Sequence, residues 1–140
     1  MRKTVTIVGG GNSAHVLIPF LTQARYQVNL MTRRPHEWQN TVLCELTDAK
    51  NSIIKTFEGI INLKSTDPSV VIPEADVIIL CMPVHQYRGA LDQIGPHINS
   101  EKEVSGRLCF CLVHESMRRV NLICTISLIH HYKEVYVGTV

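Results

Sequence analysis

The sequence predicts an α/β fold: a doubly wound parallel sheet in a single domain spanning residues 1–140. Three observations support this prediction. Segments with the pattern of strands alternate along the chain with segments that have the spacing of helices. The run over residues 76–83 is apolar without alternation, which is typical of a parallel strand covered on both faces. With 140 residues, 45% of them hydrophobic, the chain can form one packed core.

The first half of the chain is predicted to hold two strands, each followed by a helix. Thr4–Val8 is β-rich and runs into glycine, so it predicts the first strand. Apolar residues then recur at intervals of three and four over residues 12–24, which predicts a helix that Pro19 kinks or loosens. Gln27–Met31 predicts the second strand, and the helix-like spacing of apolar residues in Pro35–Ala49 predicts a second helix.

Further along, a hairpin precedes the strongest strand of the sequence. Ile53–Phe57 and Ile60–Leu63 are β-rich and flank a glycine-bearing two-residue turn, which predicts a hairpin. Capping residues before Pro68 predict a short helix. After the strand over residues 76–83, His85–Ile94 is predicted to be a helix that ends at a Gly-Pro pair.

Composition and charge exclude several classes of protein. The 14 Lys and Arg against 12 Asp and Glu give a net charge of only +2, without a basic stripe, so nucleic acid is not an expected partner. No run approaches the roughly 20 apolar residues of a membrane span, and the amino-terminal apolar stretch is too short for a signal peptide. The chain is therefore expected to be cytoplasmic, with its five cysteines as reduced thiols.

The glycine-rich turn after the first strand predicts a dinucleotide-binding site. It matches G-x-G-x-x-A between a predicted strand and a predicted helix, which is the context that supports such a motif. Gly9 permits the tight turn, Gly11 lets the backbone approach a pyrophosphate, and Ala14 lets the helix pack close to the sheet. The N–H groups of the first helical turn then face the phosphates. The predicted cofactor-binding residues here are Gly9, Gly10, Gly11, Asn12, Ser13 and Ala14.

The end of the second strand bears on the choice between NAD and NADP. The chain continues there as Thr32-Arg33-Arg34 without a carboxylate to accept hydrogen bonds from ribose hydroxyls, as an NAD site usually has. Thr32 and Arg33 are predicted to contact the cofactor. Pairing of Arg33 with a 2′-phosphate favours NADP, whereas stacking of its guanidinium plane on adenine suits either cofactor, and a solvated loop arginine is the third interpretation.

The glycine turn, read together with the strand over residues 75–83, resembles the N-terminal domain of the opine dehydrogenases of the octopine and nopaline type. The pattern G-G-G-N-x-A-H at residues 9–15 is fairly specific for that group. A strand of the form A-D-V-I-I-x-x-x-P is also similar to ketopantoate reductase and NAD-dependent glycerol-3-phosphate dehydrogenase. The resemblance covers residues 4 to about 100. It implies hydride transfer between a nicotinamide cofactor and an imine or keto acid derived from an amino acid, with Met82 and Pro83 near the nicotinamide-side ribose.

The resemblance also implies what this chain does not supply. The families named above have a second, mostly helical domain that provides the catalytic acid/base and the substrate contacts. Val140 precedes any such domain, so the dinucleotide-binding domain is expected to be incomplete, and no catalytic or metal-binding residue is assigned. A small amino-acid or keto-acid substrate is then expected only if a second domain is supplied. The alternatives are the N-terminal domain of an enzyme similar to ketopantoate reductase or glycerol-3-phosphate dehydrogenase, and a non-catalytic module that binds NAD(P).

Residues 104–134 stand out as a candidate insertion. The tripeptide Lys-Glu-Val spans each of its boundaries, at residues 102–104 and again at residues 133–135. Joining Glu103 to Val135 gives a continuous strand-like sequence. Three interpretations remain open: a zinc site, an additional strand and helix packed on the sheet, and a retained intron. The zinc interpretation draws on residues whose spacing fits no common zinc framework: Cys109, Cys111, Cys124, His114, His130 and His131.

The retained-intron hypothesis is the favoured interpretation and can be tested on the transcript. Valine codons begin with GT and a glutamate codon can end in AG, so the boundaries Val104 and Glu134 suit an intron read in frame. We expect transcript sequencing to find a spliced form that lacks these 31 codons. A single transcript that always retains them contradicts the hypothesis.

Overall fold

The computed structural model describes residues 2–98 and 109–113, which form a six-stranded sheet with helices on both faces. The elements in chain order are β1 (Thr4–Val8), α1 (Asn12–Gln23), β2 (Gln27–Met31), β3 (Thr41–Thr47), β4 (Ile53–Ser65), α2 (Pro68–Val71), β5 (Val77–Cys81), α3 (Tyr87–Ile94) and β6 (Cys109–Val113). The spatial order of the strands is β3-β4-β2-β1-β5-β6.

The sheet is parallel except at one edge. β1 lies between β2 and β5, β4 extends the sheet beyond β2, and β6 pairs with β5, all in parallel. Only β3 is antiparallel to its neighbour β4. The central parallel strands run in the same direction, so their carboxyl ends lie together at one end of the sheet, which is distinct from the edge strand β3. The loops that follow β1, β2, β4 and β5 meet there.

Two apolar cores lie on the two faces of the sheet. On one face, Ala14, Leu17 and Ile18 of α1 pack against alternate residues of the central strands. On the other face, Val71 of α2 and Ile94 of α3 pack against the remaining residues of the same strands. Helices on both faces of a mainly parallel sheet confirm the predicted doubly wound fold.

Most of the predicted elements are confirmed. The strands β1, β2 and β5 occupy the predicted positions, and β5 is almost fully buried, as its continuous apolar run indicated. Helix α2 begins at Pro68 with Asp67 as its cap: the Asp67 carboxylate accepts the backbone N–H of Ser69 at 2.8 Å. Hydrogen bonds from Ser69 also lower the pKa of this carboxyl.

The predicted helix over Pro35–Ala49 is wrong. The structure has a single 3-10 turn at Pro35–Glu37 and then strand β3. The helix-like spacing of apolar residues in this segment is misleading because β3 lies at the edge of the sheet, where only Val42 is buried. The β-branched residues and the partner strand determine the conformation here, not the spacing.

The predicted hairpin is also misplaced, because its two β-rich runs form one continuous strand, β4. The turn is at residues 48–52, where the Asp48 side chain accepts the backbone N–H groups of Lys50 and Ser52 at 2.8 and 2.9 Å. Asn51 adopts the left-handed conformation with φ 61° that such a turn requires. The hairpin therefore joins β3 to β4.

Gly59 is within β4 because helix α1 approaches the strand closely at this point. A Cβ added at Gly59 lies 2.5 Å from the nitrogen of Pro19 and 2.8 Å from the carbonyl carbon of Ile18. The helix is continuous through Pro19, which is buried. The glycine that suggested a turn in the sequence thus serves close packing between a strand and a helix.

The carboxyl-terminal part of the described chain adds two smaller differences. The helix predicted from His85 begins as a 3-10 turn at Val84–Gln86 before α3, and a second 3-10 turn follows at Gly95–His97. No helix within the described residues is long and apolar enough to cross a membrane.

Of the candidate insertion 104–134, the structure describes only β6, which pairs with β5 over five residues. Five residues of the segment therefore form a strand of the sheet. The strand obtained by joining Glu103 to Val135 lies outside the described residues, as do Cys124 and the three histidines of the zinc interpretation. The origin of the segment stays a hypothesis.

The close approach of α1 to β4 predicts opposite effects for two glycine substitutions. Gly59→Ala forces helix and strand apart, and we expect it to lower the free energy of unfolding by about 1–3 kcal/mol. Gly89→Ala is the matched control, because a Cβ at this position in α3 has no neighbour within 4 Å. It is expected to raise stability by about 0.4–1 kcal/mol. Urea unfolding followed by circular dichroism measures both, and equal stability of Gly59→Ala and the wild type contradicts the packing argument.

Candidate functional site

An open cleft of about 630 Å³ lies at the carboxyl ends of the parallel strands. Its volume is in the range of small-molecule and cofactor sites. Seven of the ten residues predicted to bind a cofactor line this cleft: Gly9, Gly10, Gly11, Thr32, Arg33, Met82 and Pro83. The other three, Asn12, Ser13 and Ala14, form the first turn of α1 beside it, where Ala14 is fully buried against the sheet.

Gly9 forms the tight turn out of β1, and no other residue type fits its position. Its φ of +122° is in the region that side chains disfavour, and an added Cβ overlaps the carbonyl oxygen of Cys81. Its N–H donates to the carbonyl oxygen of Met31 at 2.9 Å. The turn after β1 is therefore fixed directly against the ends of β2 and β5.

Gly10 leaves space between the turn and the loop after β2. A Cβ added at Gly10 lies 2.5 Å from Oγ1 of Thr32 and 3.4 Å from Nε1 of Trp38. Thr32 is buried, and its hydroxyl also accepts the backbone N–H of Arg34 at 3.4 Å. Two polar atoms thus face the glycine backbone across a gap that a side chain would fill.

Gly11 caps helix α1 and leaves the helix N-terminus open to the cleft. Its backbone is extended, with φ −90° and ψ −170°, and no side chain caps the helix by a hydrogen bond. The first turn of α1 contains no acidic residue. Because a helix N-terminus carries partial positive charge, this end of α1 is suited to an anionic group.

The loop after β2 brings two arginines and a carboxylate to the cleft. Arg33 is exposed and forms no ion pair among the described residues, whereas Arg34 pairs with Glu37 at 3.3 Å. Arg34 also lines the cleft, because strand β2 ends at Met31 and the alternation of side chains along a strand does not extend to this position.

Sequence reasoning missed Glu37 and Trp38 as residues of the cleft. Both were assigned to a helix that does not exist, whereas the 3-10 turn at residues 35–37 directs them back toward the glycine turn. The indole of Trp38 also stacks on the imidazole of His15, with ring centroids 4.1 Å apart. The sequence signal that could have indicated Trp38 is its position seven residues after the end of β2, but the sequence alone does not show that the loop turns back toward the glycine turn.

The residues after β5 form the other wall of the cleft. Met82 and Pro83 are half-buried there, and the carbonyl oxygen of Pro83 accepts the N–H of Gln86 at 2.9 Å. Nearby, burial raises the pKa of the Tyr87 phenol, and the adjacent Cys81 adds to this effect. Among the described residues, no cluster of three or more His, Cys, Asp or Glu side chains is arranged to hold a metal ion.

Comparison with known proteins identifies the family. The model of the family described as "NADP oxidoreductase coenzyme F420-dependent" matches residues 4–104, which include every residue of the glycine turn and both walls of the cleft. The chain belongs to this family. The match ends at the residue where the candidate insertion begins.

An opine dehydrogenase and two solved structures are similar to this chain. An opine dehydrogenase of Haliotis discus hannai is 30% identical over 120 residues, which cover 75% of this chain and 29% of that protein. The structure of octopine dehydrogenase in complex with NADH and agmatine has a TM-score of 0.64 at 20% identity, covering 77% of this chain and 28% of the other. A protein of Ralstonia solanacearum MolK2 described as a ketopantoate reductase has a TM-score of 0.57 at 18% identity, covering 80% and 32%.

The family model and the opine dehydrogenase of Haliotis discus hannai confirm the predicted resemblance to the NAD(P)-binding domain of opine dehydrogenases. The two solved structures, one of them the ketopantoate reductase, share the fold of this domain. The chain spans less than a third of the length of the three proteins named above.

Proposed function

We propose that this chain is the cofactor-binding part of an opine-dehydrogenase-like oxidoreductase. In this proposal the enzyme transfers hydride between a nicotinamide cofactor and an imine or keto acid derived from an amino acid. The observation that carries the proposal is the cleft in which the glycine turn, the loop after β2 and the Met82–Pro83 wall meet. The bound nicotinamide supplies the hydride chemistry, while the residues of this chain bind and orient the cofactor.

The residues of the cleft fit a dinucleotide. Substituting any side chain at Gly9 or Gly10 closes the space over the turn, and the uncapped N-terminus of α1 can bind the pyrophosphate. The adenosine half then lies toward Thr32 and Arg33, and the nicotinamide half toward Met82 and Pro83. This orientation follows the general rule for such sheets, in which the glycine turn holds the centre of the ligand.

Within this proposal, NADP is favoured over NAD. Arg33 is exposed at the cleft without an ionic partner among the described residues, so it is available to a 2′-phosphate. Among the described residues, Glu37 is the one carboxylate that lines the cleft. It can accept hydrogen bonds from the ribose hydroxyls of NAD, but its pairing with Arg34 partly neutralises it.

Two alternatives are separated from this function by activity measurements. The similarity to ketopantoate reductase supports a related oxidoreductase with a different substrate, and a non-catalytic NAD(P)-binding module remains the other possibility. Steady-state assays of the full-length protein with candidate amino acids and keto acids distinguish them. An opine-dehydrogenase-like enzyme consumes NADPH or NADH only when an amino acid and a keto acid are both present. A ketopantoate-reductase-like enzyme consumes it with the keto acid alone, and a non-catalytic module does not consume it.

Gly11→Val tests the assignment of the glycine turn. Valine accepts the extended backbone of this helix cap, so the fold is expected to remain, but its side chain occupies the place of the pyrophosphate. We expect titration calorimetry to detect no binding of NADP or NAD, with unchanged circular dichroism. Gly89→Ala is the control outside the cleft. Wild-type affinity in Gly11→Val refutes the assignment.

Arg33→Ala tests the cofactor preference. If Arg33 pairs with a 2′-phosphate, its loss costs about 1.5–3 kcal/mol, so NADP binds about tenfold to a hundredfold more weakly and NAD is little affected. Stacking on adenine instead predicts that both cofactors weaken together, by about 0.5–2 kcal/mol.

The controls for this titration are chosen from the charges of the described chain. Arg34→Ala is unsuitable, because it frees Glu37 within the cleft. Arg2→Ala removes the same charge from an exposed position before β1, at the end of the sheet where the parallel strands begin. This variant is expected to bind both cofactors as the wild type does. Unchanged affinities in Arg33→Ala for both nucleotides exclude Arg33 from the site.

A further inference from the structure

Trp38 is a buried side chain at the wall of the cleft, and it is the single tryptophan of the 140 residues. Its exposed fraction is 8%, and it belongs to the apolar core that α1 forms with the sheet. One edge of the indole nevertheless faces the glycine turn, since Nε1 lies 3.4 Å from the position that a Cβ of Gly10 would occupy.

The indole N–H has no acceptor within the part of the chain that the structure describes. The carbonyl oxygen of Trp38, by contrast, accepts a hydrogen bond from Nζ of Lys64. An indole nitrogen is a donor only. Among the described residues, the one fully buried side-chain nitrogen or oxygen without a hydrogen-bond partner is Nδ2 of Asn29, so Nε1 of Trp38 is reached by solvent at the cleft, where its N–H can donate to a partner. A ligand oxygen in the gap beside Gly10 provides that partner.

The indole is held in this orientation from two sides. The imidazole of His15 stacks on it at 4.1 Å with an interplanar angle of 27°, and Nδ1 of His15 lies 3.3 Å from the carbonyl oxygen of Gly11. His15 therefore connects the glycine turn to the loop after β2. A donor fixed in this way loses little conformational entropy when a ligand binds.

We propose that Nε1 of Trp38 donates a hydrogen bond to a phosphate or ribose oxygen of the adenosine half of the dinucleotide, at atoms that NAD and NADP share. The inference rests on the proposed function. It places the contact at the shared atoms because Nε1 lies beside Gly10 of the turn, where the pyrophosphate is bound in such folds, and not at the exposed Arg33. Trp38 thus contributes affinity without discriminating between the two cofactors.

The wild-type chain offers a first test without any substitution. ADP-ribose contains the adenosine half and the pyrophosphate, and it does not absorb the emission of tryptophan. Because all tryptophan emission comes from Trp38, we expect ADP-ribose to cause a saturable change in emission, with a midpoint equal to the dissociation constant from calorimetry. Binding by calorimetry without a change in emission overturns the proposal.

Trp38→Phe provides the second test, since phenylalanine keeps an aromatic ring against His15 but lacks the N–H. We expect calorimetry to show about tenfold weaker binding of ADP-ribose, NAD and NADP alike, which corresponds to about 1.4 kcal/mol. Tyr26→Phe is the matched control, because it removes one polar atom from an aromatic ring that lies just before β2, at the end of the sheet away from the cleft. Circular dichroism verifies the fold of both variants.

The outcomes separate this inference from the proposed function. Wild-type affinity in Trp38→Phe overturns the role of Trp38, while loss of binding in Gly11→Val still supports the dinucleotide site. A loss confined to NADP overturns the placement at the shared atoms and assigns the contact to the 2′-phosphate. If the wild-type chain binds neither dinucleotide nor ADP-ribose, the proposed function fails, and the inference fails with it.

Discussion

The position of Gly9 is the constraint on which the rest of the cleft depends. Three strands converge there: the backbone leaves β1, donates a hydrogen bond to the end of β2, and lies in contact with the carbonyl group at the end of β5. A side chain at this point would push the strands apart. The walls of the cleft are residues that directly follow these strands, so their spacing is set by a contact between backbones.

This constraint explains how a small domain can prepare a site for a large, anionic ligand. The strands are rigid because both faces of the sheet are buried, and the loops begin at fixed points along one edge. The end of helix α1 adds partial positive charge without a side chain that needs to be displaced. Preorganisation of this kind reduces the entropy that binding must overcome.

Sequence reasoning predicted the parallel core and failed at the edge of the sheet, for identifiable reasons. The glycine turn and the apolar run of β5 have local signals that permit one interpretation, and both are confirmed. β3 is exposed on most of its surface, so its apolar residues carry no reliable periodicity. Gly59 signals a turn when read locally, whereas its role is set by α1, which is 36 to 47 residues away in sequence. Trp38 was missed for the same reason, because its place in the cleft depends on contacts between loops that are distant from each other in sequence.

Strand β4 has a consequence for how the protein can vary. Its last residues pair with β2 and lead into the cleft, while its first residues pair only with β3 and end at the turn over residues 48–52. Twelve residue steps separate the two ends of β4, about 40 Å along the strand. The distal turn can therefore gain or lose residues, or accept an inserted epitope or label, without moving any atom that lines the cleft. One end of β4 can therefore accept insertions, while the other end positions residues of the site.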